Sequence, residues 1–121
     1  MAEHPIVHIG IATTDPQVAS KFYAEVFGWK IGRKEENDYT MFDAPPGPEG
    51  GFPRVDGETF KPGDILVYID TDDIEGTLAR IEAAGGKTIQ PKTAIPGAGW
   101  FAIFSDPTGN RLALYTSRTQ Q

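Results

Sequence analysis

The stretch Ile6-Val7-His8-Ile9-Gly10-Ile11-Ala12, followed directly by Thr13-Thr14-Asp15-Pro16, has the pattern of a strand that leads into a helix. Branched apolar residues occupy every second position, so one face of the strand is apolar and the other, which carries His8, is small and polar. Thr14 or Asp15 can cap the helix, and the proline that follows suits its first turn. His8 is one of two histidines in the chain.

A second stretch, Asp64-Ile65-Leu66-Val67-Tyr68-Ile69-Asp70-Thr71-Asp72-Asp73-Ile74, repeats this plan. Superposing the two halves of the chain lays His8 on Leu66 and the helix cap Asp15 on Asp73. The repeat predicts an α+β fold with two tandem β-α-β-β-β modules that form a curved, cup-shaped mixed sheet with the helices on its outer face. We expect a single domain over residues 1–121, with modules at about 5–55 and 64–117 and a linker at 56–63.

Apolar residues at helical spacing after Pro16 predict one apolar helix face. Glycines end each predicted helix, and Asp106-Pro107-Thr108-Gly109-Asn110 predicts a tight turn before the last strand. The apolar positions of the first helix are Val18, Ala19, Phe22, Tyr23 and Val26. The other predicted strands are 29–33, 39–43, 51–55, 88–90, 100–104 and 112–116.

Composition excludes several classes of function. The net charge of -6 and the pI near 4.8 argue against nucleic-acid binding, which needs clustered Lys and Arg. The chain has no cysteine, which excludes disulfides and thiolate ligands, and no apolar run long enough to span a membrane. The first residues lack a secretory pattern, so we expect a cytoplasmic protein.

Taken together, these motifs resemble the vicinal oxygen chelate superfamily, which includes glyoxalase I, bleomycin-resistance proteins and extradiol dioxygenases, and above all its small bacterial glyoxalase-like members. The resemblance covers nearly the whole chain, and the end of the first helix and the Asp-Pro-Thr-Gly-Asn turn are specific in combination. The matching segments are 7–9, 15–16, 22–23, 26–29, 72–74, 83–86, 96–101 and 106–110.

The resemblance implies four positions for metal ligands, usually His, Glu or Gln, on the first and last strands of each module. His8 matches the first of them. Leu66, Ala113 and a position near Gly51 hold no donor, and Glu49 is the only carboxylate close to the last of these. One imidazole does not hold a divalent metal ion. We therefore predict no metal ligands and no cofactor, although members of the superfamily often use a divalent metal.

The functional prediction is a domain that binds a small molecule in its cup and is not a metal-dependent glyoxalase I. Three alternatives stay open. The first is a lyase, isomerase or dioxygenase-like enzyme with an atypical or metal-free site, in which His8 is the candidate general base. The second is a drug-sequestering protein of the bleomycin-resistance kind, which the resemblance implies would use a groove between two chains of a dimer, and the third is an accessory or regulatory domain. The resemblance also implies a homodimer. The predicted ligand contacts are His8, Leu66, Tyr68, Trp100, Phe104 and Ala113.

Overall fold

The computed structural model describes residues 3–34 and 38–119. They form two compact units, one of residues 7–66 and one of the described residues before Val7 and after Leu66. Neither helix in the described part of the chain is long and apolar enough to span a membrane. The elements of the described residues are β1 (Ile6–Ile11), α1 (Pro16–Phe27), β2 (Lys30–Lys34), β3 (Tyr39–Asp43), β4 (Gly50–Gly51), β5 (Ile65–Asp70), α2 (Ile74–Ala83), β6 (Lys87–Ile95), β7 (Gly99–Ser105) and β8 (Arg111–Ser117).

In the unit of residues 7–66, the strands follow the order β2-β3-β4-β1, with β1 parallel to β4 and the other pairs antiparallel. Helix α1 packs on one face of this sheet through stacked aromatic rings. The ring centroids of Tyr23 and Trp29 lie 4.9 Å apart, and those of Trp29 and Phe42 lie 4.4 Å apart. The helix begins at Asp15, whose carboxylate accepts hydrogen bonds from two backbone N–H groups, and ends at Gly28 with φ 71°.

In the other unit, the strands follow the order β5-β8-β7-β6, with β5 parallel to β8 and the remaining pairs antiparallel. Asp73 caps α2 by accepting a hydrogen bond of 3.0 Å from the N–H of Gly76. The apolar side of α2 forms a core with β7 and β8. The buried members of this core are Ile74, Leu78, Ala102, Phe104 and Leu114. The two β-α-β-β-β units and the α+β class are as predicted.

Only part of the predicted apolar face of α1 packs on the sheet. Ala19 and Tyr23 are partly buried, whereas Val18, Phe22 and Val26 are 66%, 53% and 57% exposed. Successive helical residues are rotated by about 100°, so the exposed three form a row beside the residues that face the sheet. The sequence pattern merged these two neighbouring rows into one face.

The turn predicted before the last strand is confirmed. One carboxylate oxygen of Asp106 accepts hydrogen bonds from the backbone N–H groups of Thr108 and Asn110, and Gly109 has φ 95°. The hydrogen bond from the backbone of Asn110, followed by that from the Thr108 hydroxyl, lowers the pKa of Asp106 to about 2. The turn is therefore stabilised by a carboxylate that remains ionised at distinctly acidic pH.

Replacement of Thr116 by valine is expected to raise the free energy of unfolding by about 1 kcal/mol, because it removes a hydroxyl that is buried without a hydrogen bond. Thr116 is fully buried opposite Trp100, and its Oγ1 has no hydrogen-bond partner among the described residues. Urea denaturation measures the change. Thr14→Val, at an exposed position, serves as the control and should change little. A less stable Thr116→Val variant would contradict this prediction.

Candidate functional site

The sheet of residues 7–66 has a second face, opposite α1, which carries His8. Gly10 of β1 pairs with Gly51 of β4, which in turn pairs with Met41 of β3. Because side chains alternate along each strand, His8, Met41 and Tyr39 share this face with the two glycines. The centre of the face is therefore a strip of backbone bordered by three larger side chains.

The side chain of Tyr39 crosses this strip. A Cβ atom added at Gly51 would overlap the ring and the hydroxyl of Tyr39, so the ring lies directly over the glycine. The Tyr39 hydroxyl lies 2.9 Å from Nε2 of His8, and the two ring centroids are 5.8 Å apart. A side chain at position 51 would block this path. The glycine thus allows a residue of β3 to contact a residue of β1 across the strand between them.

Burial makes His8 a neutral group. Desolvation of the imidazole lowers the pKa of His8 from 6.5 to about 4. At neutral pH the ring therefore has one nitrogen that donates and one that accepts. Together with the Tyr39 hydroxyl, it forms an uncharged polar pair that can bind carbonyl or hydroxyl groups.

The same unit has a shallow depression of about 370 Å³, within the size range of small-molecule sites. Met41 lines the depression and also belongs to the face of His8 and Tyr39. Lys30 and Arg33 contribute positive charges, and Asp43 and Glu49 contribute negative charges. The depression therefore offers charged groups of both signs.

The residues present do not fit a divalent metal ion at the positions that the resemblance implies. His8 offers one nitrogen, whereas Gly51, Leu66 and Ala113 have no donor atom in their side chains. Tetrahedral and octahedral sites both need several such donors. Among residues 3–34 and 38–119, no group of three His, Asp or Glu side chains is arranged to hold a metal ion. The donor set supports hydrogen bonding and not metal coordination.

The structure separates the remaining predicted ligand contacts. Tyr68 lies beside Ala113 in the β5–β8 pair, and these two residues and Leu66 are buried, with exposures of 7%, 0% and 1%. Trp100 and Phe104 lie instead in the core beneath α2.

Trp100 and Phe104 were predicted to contact the ligand together with Ala113, but they lie on the opposite face of the sheet from Ala113. Ala113 pairs with Ile103, and alternation along β7 puts Phe101 on that face while the even-numbered residues face the helix. Both faces of this strand are apolar in sequence, so the pattern did not distinguish them. Tyr39 was missed altogether, and the only available signal was the Gly50-Gly51 pair, since glycines in a strand often mark a close approach.

Known proteins match this chain over most of its length. Residues 5–114 match the family described as Glyoxalase/Bleomycin resistance protein/Dioxygenase superfamily. A glyoxylase-like domain-containing protein of Didymella fabae is 30% identical over 128 residues, which cover 89% of this chain and 90% of that protein. The putative glyoxylase CFP32 of Mycobacterium tuberculosis is 25% identical over 122 residues, and the match covers 88% of this chain but 43% of that protein.

Solved structures agree on the fold. Methylmalonyl-CoA epimerase from Mycobacterium tuberculosis has a TM-score of 0.68 at 17% identity, covering 93% of this chain and 87% of that chain. At this identity the likeness concerns the fold alone. The resemblance stated from the sequence motifs is confirmed by the family match and by the Didymella relative. Because the family match covers residues 5–114, the chain belongs to the glyoxalase, bleomycin-resistance protein and dioxygenase superfamily.

Proposed function

We propose that the chain is a ligand-binding member of this superfamily without its usual metal site, and that the ligand binds on the face of His8 and Tyr39. One observation carries the proposal: the 2.9 Å contact between His8 Nε2 and the Tyr39 hydroxyl on a floor of glycine. Two polar atoms held together over backbone without side chains can orient a small ligand.

The chemistry of this face favours an uncharged ligand with a carbonyl or hydroxyl group. A neutral imidazole and a phenol can each donate or accept one hydrogen bond, and neither balances a formal charge. Met41 offers an adaptable apolar contact. A planar aromatic ketone meets these conditions, and so does the thioester carbonyl of an acyl-CoA, whose phosphates would lie outside the face.

The enzymatic alternative depends on His8 as a general base, and the geometry gives it less support. A base works best when its pKa lies near the operating pH, whereas burial lowers the pKa of His8 to about 4. Orienting a ligand needs no proton transfer. The drug-sequestering alternative, for which the resemblance implies a groove between two chains of a dimer, stays a prediction. The ligand contacts predicted at Leu66, Tyr68 and Ala113 stay predictions, as does the cytoplasmic location.

The test is a titration of 15N-labelled protein with two probes, a hydroxyanthraquinone and methylmalonyl-CoA, followed by NMR. We expect amide shifts centred on His8, Tyr39 and Gly51 for at least one probe. Tyr39→Phe keeps the ring and removes the hydroxyl, so the affinity should fall about tenfold, as expected for one hydrogen bond of about 1.4 kcal/mol.

His4→Gln is the control, because His4 is exposed and its Nδ1 contacts the carbonyl oxygen of Asp70 instead. The proposal fails if neither probe shifts these amides, or if Tyr39→Phe binds as tightly as the unmodified protein. Elemental analysis of the purified protein provides an independent check. Stoichiometric nickel, zinc or iron that disappears in His8→Ala would favour a metal enzyme instead.

We further propose that the chain forms a homodimer, as the resemblance implies. Support comes from the large apolar side chains that the described residues leave exposed, above all on α1. Such residues are ordinary when scattered, but a contiguous patch indicates an interaction site.

A further inference from the structure

Helix α1 exposes a continuous apolar row. Val18, Phe22 and Val26 are spaced four residues apart and are 66%, 53% and 57% exposed. We call these three residues the α1 stripe. Phe27, at the end of the same helix, is 60% exposed. Residues four apart lie one above the other on a helix, so the stripe is a ridge and not a set of isolated side chains.

The stripe is not needed to attach α1 to its own sheet. Tyr23 serves that purpose, since its ring stacks on Trp29 at 4.9 Å and on Phe52 at 5.6 Å between centroids. Ala19 and Ser20 are also partly buried on that side. An amphipathic helix normally has one apolar stripe facing the core. Here a second row of apolar residues remains after the core contact is complete.

The charges beside the stripe indicate what covers it. Lys21 and Glu25 flank it on its solvent side, and Lys21 Nζ lies 3.9 Å from a carboxylate oxygen of Glu25. In a two-fold symmetric antiparallel pair of α1 helices, the same flank of each helix faces the other in reverse order. Lys21 of each copy then meets Glu25 of the other, and Phe22 lies near the two-fold axis. The surface is therefore complementary to itself in shape and in charge.

We propose that the α1 stripe is the contact surface between two copies of this chain, packed as antiparallel α1 helices. The inference rests on the homodimer proposed above and names its surface. An aromatic side chain buries about 150–250 Å² when fully covered, so the stripe and Phe27 together offer on the order of 400 Å² per copy. A standard interface buries about 800 Å² per partner. The stripe is therefore smaller than a standard interface, and we expect a weak association that appears only at high protein concentration.

Sedimentation velocity over a concentration series from about 1 to about 500 µM, the range in which weak complexes form, tests the surface. The unmodified chain should shift from monomer to dimer across this range. Phe22→Asp places a charge at the two-fold axis and should weaken association by more than tenfold. Ile89→Asp introduces the same charge at another exposed apolar position, on β6, where the exposure is 43%, and should leave association unchanged. Circular dichroism verifies that each variant is folded.

A charge exchange tests the antiparallel register. Lys21→Glu leaves two acidic residues on the flank and Glu25→Lys leaves two basic ones, so each variant alone should repel its own copy and associate more weakly. Mixed in equal amounts, the two variants should associate at least as tightly as the unmodified chain, because every pair is then of opposite charge. Failure to recover on mixing would contradict this register.

The outcomes separate the two proposals. A chain that stays monomeric at every concentration overturns both the homodimer and the α1 surface. A dimer that is indifferent to Phe22→Asp and to the charge exchange keeps the homodimer and overturns the surface. Binding of the NMR probes at the face of His8, which is opposite α1 on the sheet, should be the same in Phe22→Asp, so the ligand proposal is judged separately.

Discussion

Gly50→Ala should lower the free energy of unfolding by about 3 kcal/mol, at the upper end of the range for overpacked interiors. Gly50 pairs with Ile9 of β1 and with Phe42 of β3. A Cβ atom there would overlap the backbone oxygen of Ile9 and the ring of Phe42. The ring is buried in the aromatic cluster under α1, and the oxygen belongs to a strand, so neither can move away without disturbing the sheet.

Gly32→Ala is the matched control. Gly32 lies in β2 of the same sheet, and an added Cβ would meet nothing within 4 Å. Urea denaturation of both variants, analysed with a common slope, gives the difference in stability. We expect the unmodified protein and Gly32→Ala to have similar free energies of unfolding, and Gly50→Ala to have a much lower one. If the two variants fell within 1 kcal/mol of each other (about the mean effect of a point mutation), the close packing assigned to β4 would be wrong.

The second large effect is a loss of stability in mild acid that originates from His8. In the folded protein the pKa of His8 is lowered to about 4, from 6.5 in the unfolded chain. Between these values the unfolded chain binds more protons, so stability rises with pH across this window and falls on acidification. A difference of 2.5 pKa units, from 6.5 to 4, corresponds to about 3 kcal/mol lost between pH 7 and pH 4.

His8→Gln should flatten this part of the pH profile, because glutamine does not titrate. His4→Gln, which changes the other histidine, should keep the profile of the unmodified protein. Unfolding by urea at closely spaced pH values measures the slopes. Asp106, whose pKa is lowered to about 2, loses its contribution only in stronger acid and does so in all three proteins. If the stability of His8→Gln and of the unmodified protein depended on pH in the same way, the loss of stability in acid would not originate from His8.

Local signals in the sequence predicted those parts of the fold that local chemistry determines. Asp15 and Asp73 cap their helices because a carboxylate before a helical run can accept its free N–H groups. The turn at Asp106 forms for the same reason, with Gly109 supplying the positive φ. Alternation then predicted most strands, although β6 extends to Ile95, well beyond the predicted end.

The candidate site was less predictable because its geometry is set by contacts between distant segments. His8 was identified from its place on a strand, but its partner Tyr39 lies 31 residues away and reaches it over a strand of glycine. The pattern around Trp100 did not distinguish two apolar faces, one of which belongs to α2. In α1, Phe22 and Tyr23 are neighbours in sequence and differ in environment, since one is exposed and the other stacks on Trp29.

The two glycines of β4 determine which strands supply the side chains of the face that holds His8. Since Gly50 and Gly51 present no side chains, Phe42 occupies the space above one and Tyr39 the space above the other. Strand β4 therefore contributes no side chain to the face that holds His8. Under the proposed function, positions 39 and 41 are the two to randomise first when ligand preference is to be altered, because a change there leaves the side-chain-free strand β4 as it is.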